Sequence, residues 1–329
     1  MSSLHRHGMA LLAAGVAVLV ASHAGGQAPA AAPSPPTVLS MEQRFGEVVW
    51  VELDYSARKF LLGARTSIRA ESLSSQAAAE ALWTPPIGDP VPLPKTDVVA
   101  VSVTTDLPFG RDETVKVFLD PATGAALGGE KTMLGRSSYR KLLRYTSGGL
   151  FTWRFSPENA SEVALPPEAW THRKQHLVEP SVKPAQGTPP TDAYVLIYLA
   201  TATRLDRKGS ELKVVMLADD RFVEVTFVAA KLTYSRASFE EVWPGGRRQR
   251  DGDVLVRIVR ATARALEATE ASEDVELGFL GMRGALTLYL EAGTGLPVAL
   301  SGRVQHIGEI TVRLERAVLK RAPEADASP

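Results

Sequence analysis

The chain contains no cysteine. That excludes a disulfide-stapled scaffold, thiol catalysis, cysteine-based zinc centres and attachment of lipid through an N-terminal cysteine. Stability must therefore come from burial. Net charge is lacking as well, since 37 Lys and Arg face 37 Asp and Glu. Loss of a leader carrying Arg6 shifts that balance only to −1, which argues against nucleic acid as the main partner, because phosphate binding draws on a concentrated basic face. Past the N-terminal region no apolar run approaches membrane-spanning length. Catalytic motifs are missing too. There is no Gly-x-Ser-x-Gly elbow and no phosphate-cradling glycine loop, and the Thr-Gly pairs at 123 and 294 follow Ala122 and Gly293 rather than aspartate.

What is present begins with an export signal. Arg6 supplies the charged start and residues 10–21 an apolar stretch too short to span a bilayer, so residues 1–28 read as a signal peptide with cleavage after Ala24 or Ala28. Residues 29–44 read as a flexible leader and 322–329 as a disordered tail. The expected location is the periplasm.

Period-two alternation dominates the rest. Apolar side chains recur at Val49, Val51, Leu53 and Tyr55, at Val99, Val101 and Val103, at Val115, Val117 and Leu119, and at Phe151, Trp153 and Phe155. They recur again at Val223, Val225 and Phe227, at Leu286, Leu288 and Leu290, and at Ile310, Val312 and Leu314. One-sided strands with short turns predict a mainly β protein: two curved antiparallel sheets, sandwich or half-barrel like, with one or two short helices. Residues 45–321 are expected to form a single β-rich domain in two halves, 45–155 and 191–321. The proline-rich segment 156–190 joins them, and its Val163, Leu165, Trp170, Leu177 and Val178 favour a tract packed on the sheets over a free linker. A second proline-rich tract, 83–94, reads as an extended surface strap.

The two halves echo each other. Phe118-Leu119-Asp120-Pro121-Ala122-Thr123-Gly124 returns as Tyr289-Leu290-Glu291-Ala292-Gly293-Thr294-Gly295, and Phe60-Leu61-Leu62-Gly63 as Phe279-Leu280-Gly281. In the first pair Asp120 and Glu291 cap tight turns while Gly124 and Gly295 take positive φ. Thr191-Asp192 caps a helix over 193–202 that is apolar nearly all round and should plug the core; a weaker helix spans 75–83.

Candidate chemistry is thin. His172 and His176 have the i, i+4 spacing of a shared metal site, but Arg173 and Lys174 intervene and prolines flank them, so a solvated loop is the reading. Ser138 and Lys141 have Ser-x-x-Lys spacing without the companion motifs. His306 reads as a turn residue. Arg247-Arg248-Gln249-Arg250 reads as a solvated hairpin tip, and Asp219-Asp220, Glu240-Glu241 and residues 270–274 as solvated acidic turns. No cofactor or metal is expected, and Asp120 and Glu291 are turn residues, not catalytic ones. Trp153 is assigned to the core, while Trp83, Trp170 and Trp243 are candidates for the rim of an apolar groove.

Three segments carry a likeness: 112–124, then 191–199 through Lys208-Gly209-Ser210-Glu211-Leu212, and 286–314. In the last, Tyr289-Leu290-Glu291 to Gly295-Leu296-Pro297-Val298 and Gly308-Glu309-Ile310-Thr311-Val312-Arg313-Leu314 form the most telling part. On these residues the chain resembles an exported bacterial family known as domain of unknown function 3108. The resemblance implies a single exported domain of two curved sheets with a helix before the second half, and no established activity. The long proline-rich middle, the strap and residues 261–274 depart from it. The functional expectation is a non-catalytic periplasmic protein binding a lipid or other apolar envelope component. The alternatives are an envelope interaction scaffold that pairs through a sheet edge or its proline straps, and an envelope hydrolase whose site the sequence order hides.

Overall fold

Alternating apolar side chains can be satisfied only where strands share a covered face, and that requirement organises the chain. The computed structural model describes residues 45–59, 62–107, 111–135, 137–180, 189–203, 205–218, 221–266 and 277–323. The signal peptide, its cleavage sites, the leader, Phe60-Leu61, the acidic pairs at 219–220 and 270–274, and most of the tail lie outside the described residues.

The first half contains β1 (Trp50–Lys59), β2 (Leu62–Leu73), α1 (Ser75–Ala81), β3 (Val98–Leu107), β4 (Arg111–Leu119), β5 (Ala126–Leu134), β6 (Tyr139–Thr146) and β7 (Gly149–Ser156). Then come α2 (Ala160–Val163), a 3-10 turn (Pro167–Ala169), β8 (His172–Val178), β9 (Pro190–Asp192), a second 3-10 turn (Ala193–Val195) and α3 (Leu196–Ala202). The closing half is β10 (Glu211–Ala218), β11 (Arg221–Trp243), β12 (Gly246–Ala265), β13 (Met282–Glu291), β14 (Pro297–Val304) and β15 (Gly308–Leu319).

The protein is mainly β, with three short α-helices. β1 to β8 form one antiparallel meander and β10 to β15 another. β1 pairs antiparallel with β15, so the two halves join at a seam into one 15-stranded sheet. Among the described residues parallel pairings are confined to β9 with β10 and β11 with β15. The second of these closes β11, β12, β13, β14 and β15 into a ring. Length makes the closure possible, because β11 runs for 23 residues and its far end, Glu240 to Val242, reaches Arg316 to Val318.

Helix α3 fills the centre. Asp192 accepts from the Tyr194 amide at 2.9 Å and so caps the 3-10 turn that leads into α3, in place of the single helix expected over 193–202. α3 itself has no side-chain cap, and its Leu196, Ile197, Tyr198, Leu199, Ala200 and Ala202 are all buried. Seven residues cannot hold a helix in water, so burial holds it, at about 1.5–3 kcal/mol for each large apolar side chain. Trp50 donates to the Thr201 hydroxyl at 3.3 Å and meets Tyr198 edge-on at 6.4 Å. Trp50 is itself fully buried because the β1–β15 register shifts between Trp50 and Glu52, a bulge that breaks the alternation expected from Val49 to Tyr55.

A smaller core lies on the opposite face of β3 to β5, where Ala78 of α1 packs with Val98, Ala100, Phe118 and Leu127. The strap crosses beside it. Val91 donates to the Tyr145 carbonyl at 2.9 Å, Ser147 to that of Asp89 at 2.9 Å, and buried Arg144 donates to the carbonyls of Leu127 and, at 3.3 Å, Val91. The described part of the proline-rich middle is ordered into α2, a 3-10 turn and β8, a strand paired along β7; Trp170 and Val178 are buried as expected, whereas Val163 and Leu165 face solvent. His172 and His176 accordingly stand on a strand, not in a loop. The basic cluster also differs from expectation. It does form a hairpin, but Glu241 is 1% exposed and accepts from Arg248 and, at 3.2 Å, from Arg250, which reaches Glu291 at 2.9 Å. Only Arg247 of the three arginines projects into solvent, because the ring closure covers the others.

The echoed turns are built alike. Asp120 accepts from Ala122 N and the Thr123 hydroxyl at 2.9 Å each, Gly124 N donates to Asp120 O at 2.8 Å, and Gly124 has φ +69°. In the second turn Glu291 accepts from the Thr294 hydroxyl, Gly295 N donates to Glu291 O at 2.8 Å, and Gly295 has φ +74°. Surroundings separate the two. A Cβ on Gly124 would meet the Phe45 ring at 2.9 Å and Leu199 at 3.0 Å, whereas one on Gly295 would meet nothing closer than the Thr201 carbonyl at 3.9 Å. Gly295→Ala should therefore cost the conformational penalty alone, about 1–2 kcal/mol. Gly124→Ala should cost clearly more in urea unfolding, and equal losses would show that the Gly124 turn does not press on α3.

Candidate functional site

Strands that end beside a buried helix leave space where loop, helix and sheet cannot all touch. One such space is a groove of about 760 Å³ lined by Phe45, Val48, Val51, Val99, Pro121 and Tyr198 among others. Val51 reaches it because of the β1 bulge, and Pro121 because the Asp120 turn presents it. Arg69, Glu47, Glu71 and Lys320 also line it. Lys320 donates to Glu47 at 2.8 Å, and that hydrogen bond and charge hold the Glu47 carboxyl below its ordinary range. The pair is exposed, so it is worth at most about 1 kcal/mol and can open for a ligand.

A second hollow, about 1130 Å³, lies over β15, β1, β2 and β3, with Asp54, Ser56, Arg65, Ser67, Arg313 and Glu315 in its lining. It is polar, and Arg316 already bridges Glu52 and Asp54 there at 3.1 and 3.3 Å.

A third cavity, about 160 Å³, opens between β5–β8 and the β9–α3 corner. Lys131, Tyr139, Lys141, Leu143, Thr152, Asp192, Tyr194 and Leu217 are in its wall. Here lies a buried polar cluster that hydropathy could not place. Tyr194 donates to Glu113 at 2.5 Å, and Lys131 donates to the Tyr194 oxygen at 2.5 Å and pairs with Glu113. Tyr145 donates to Asp192 at 3.1 Å. Burial alone would lower the Lys131 pKa, but the oxygens of Tyr194 and Glu113 outweigh it and hold the ammonium above the ordinary lysine range. Burial raises Tyr194 and Tyr145. Burial also raises Asp192, against hydrogen bonds from Tyr194 N and Tyr145 and the charge of Lys131. Near neutral pH the Lys131 amine and the Tyr194 and Tyr145 phenols therefore keep their protons.

The sequence candidates are scattered. Trp83 packs on Phe151 and Trp153 at ring distances of 5.6 and 5.9 Å. Trp153 is half-buried in that outer aromatic row, away from the main core, because Leu150 and Thr152 take the inward positions of β7. Trp170 is 1% exposed and donates to the Glu162 carbonyl at 2.9 Å, so it seals α2 against the sheet and cannot form a rim. Trp243 covers Gly246 at the hairpin tip and packs on the main core. None of the three lines the cavities above. Ser138 bonds Gly135 in the turn before β6, and His306 takes φ +64° in the β14–β15 turn. Among the described residues no three His, Asp or Glu side chains are placed to hold a metal ion, and no helix is long and apolar enough to cross a membrane.

Two measurements check the cluster. Lys131→Met leaves Glu113 buried without its cation and should cost about 3–5 kcal/mol, with much of the loss recovered in the Glu113→Gln/Lys131→Met double variant. Additive losses would mean the pair is not coupled. Asp192 binds its proton more tightly folded than unfolded, so its contribution is most favourable in acid and declines as pH rises through its raised folded pKa. Wild type should therefore gain stability relative to Asp192→Asn as pH falls from neutral towards the ordinary aspartate range of about 4; a pH-independent difference in urea unfolding across that span would contradict the upward shift.

No family profile, curated protein or solved structure matches the chain.

Proposed function

We propose that this is an exported, non-catalytic binding protein that takes an amphipathic envelope molecule in the groove beside α3. The observation that carries the reading is the lining itself: an apolar floor of Phe45, Val51, Val99 and Pro121 beside a cation, Lys320, held only by an exposed carboxylate. An acyl chain or flat apolar body covers such a floor, and an acidic head can replace Glu47 on Lys320. The volume, about 760 Å³, lies within the range of small-molecule sites. Periplasmic placement rests on the N-terminal signal, and membership of the exported family rests on the segments that resemble it. Against hydrolysis stands the engagement of the carboxyl groups beside the third cavity, Glu113 by Tyr194 and Lys131 and Asp192 by Tyr145. Against a scaffold that works through its strap stands the strap's backbone, already bonded to β6.

The reading is tested on the secreted protein. Native mass spectrometry should find a co-purifying amphiphile or, after its removal, uptake of a fluorescent fatty acid, with affinity lowered more than tenfold by Val51→Asp and by Ala122→Trp. Absence of both bound lipid and uptake, or uptake indifferent to both substitutions, would discard it.

A further inference from the structure

Cross-strand register brings together charges that sequence keeps apart. Through most of the sheet, charged residues directly opposite one another differ in sign: Glu52 with Arg69, Arg65 with Asp106, Lys116 with Glu130, Glu224 with Arg264, Arg236 with Asp253. Isolated like pairs occur at Asp106 with Asp112 and at Arg283 with Arg303, where Glu309 faces Arg303. One row departs from this pattern altogether. Lys131 pairs with Lys141, Lys141 with Arg154, and Arg154 with Lys174, four cations in unbroken register across β5, β6, β7 and β8.

Directly paired residues share a face, and this one is the inner face, since Lys131 and Lys141 line the third cavity with Leu143, Leu150, Thr152 and Val178. Strand spacing makes the row about 14 Å long. Exposure increases along it, from Lys131 at 20% through half-buried Lys141 and Arg154 to exposed Lys174 on β8. At the closed end Glu113 and Tyr194 hold Lys131, and Lys141 is also engaged. Arg154 lies over the Tyr139 ring at 4.4 Å, and neither it nor Lys174 is ion-paired among the described residues. Like charges facing each other across a ladder repel. A lone edge lysine would serve to discourage strand pairing, but that purpose does not extend to interior strands.

We infer that the row is a binding site for a small phosphate-bearing polyanion, which lies along β6 to β8 with one end at the mouth of the cavity. Arg154 is the specificity-determining contact, because its planar guanidinium is fixed by Tyr139 and can grip a phosphate in two places. Lys174 supplies the outer charge and Lys141 the inner field. Phosphate chemistry could come from a free polyphosphate or from the headgroup of a single lipid molecule.

The experiment is calorimetric titration of the full secreted protein with tripolyphosphate, orthophosphate and monomeric short-chain phosphatidic acid. Tripolyphosphate should bind at least tenfold more tightly than orthophosphate. Arg154→Gln with Lys174→Gln should weaken it by more than tenfold, while Arg154→Lys with Lys174→Arg keeps most of the affinity. Both sites are accessible and both substitutions reduce repulsion, so unchanged thermal midpoints will confirm folded variants. Binding of phosphatidic acid alone, lost in the same double variant, identifies the headgroup as the source. Binding of no probe, or affinity unchanged by the double variant, overturns the inference. So does phosphatidic acid binding that disappears with Val51→Asp but survives the double variant, since the ligand would then sit in the groove.

Discussion

The pairing of β1 with β15 is the constraint on which the rest of the structure depends. It joins the first and last strands, Trp50 to Leu319 and Ser56 to Arg313, and without it the two meanders would each present an open edge along the seam. Side chains tie the same seam: Arg316 reaches Glu52 and Asp54, and the buried Tyr55 hydroxyl donates to the Pro297 carbonyl at 2.8 Å. Closing a loop that long costs only slowly growing entropy in equilibrium terms, yet such distant contacts slow folding. β15 also completes the ring with β14 and β11, so a single strand sets both the seam and the curvature of the closing half.

Once the seam is closed, α3 has only one place to go. The Asp192 cap, the Trp50 contact and the two echoed turns approach it from different strands. Its apolar circumference lets it touch both halves at once. The polar cluster follows from the same geometry: Tyr194 and Asp192 sit at the helix entry, where β5 and β6 bring Lys131 and Tyr145 against them. These groups are buried because the helix is, and they are paired because an unpaired buried charge would be far more costly.

How much of this was legible in sequence depended on side-chain alternation. β3, β4, β11, β13 and β15 were readable because one face is apolar and the other polar. β5 was not, since Gly128 and Gly129 have no side chain to declare a face. Gly128 lies so close to the neighbouring strand that a Cβ would come within 2.6 Å of the Leu143 carbonyl oxygen, backbone that cannot swing aside, which is why glycine stands there. β6 and β8 were hidden by their charges. Helix α3 and both echoed turns were legible because capping and positive φ are local. Trp170 misled because aromatic residues beside prolines look the same whether they rim a cleft or seal a short helix. The groove combines the loop at Phe45 with strands and a turn from four separate segments, and no local pattern anticipates such a meeting.

The basic row shows why register carries information that composition does not. Its members lie 10, 13 and 20 residues apart in a chain of balanced charge, so no single window of sequence contains the row. Only the hydrogen-bond ladder aligns them. The groove and the row flank the same helix, Tyr198 in one and Tyr194 in the other, yet proximity alone does not couple them. Coupling needs an element with two arrangements that both ligands bias. Helix α3 follows the 3-10 turn that Asp192 caps, is bonded to Trp50 through Thr201 and is enclosed by buried apolar side chains, and the structure shows one packing for it. The helix thus stands between the two proposed surfaces, one apolar with Lys320 and Arg69 at its edge and the other a line of cations ending at a small cavity.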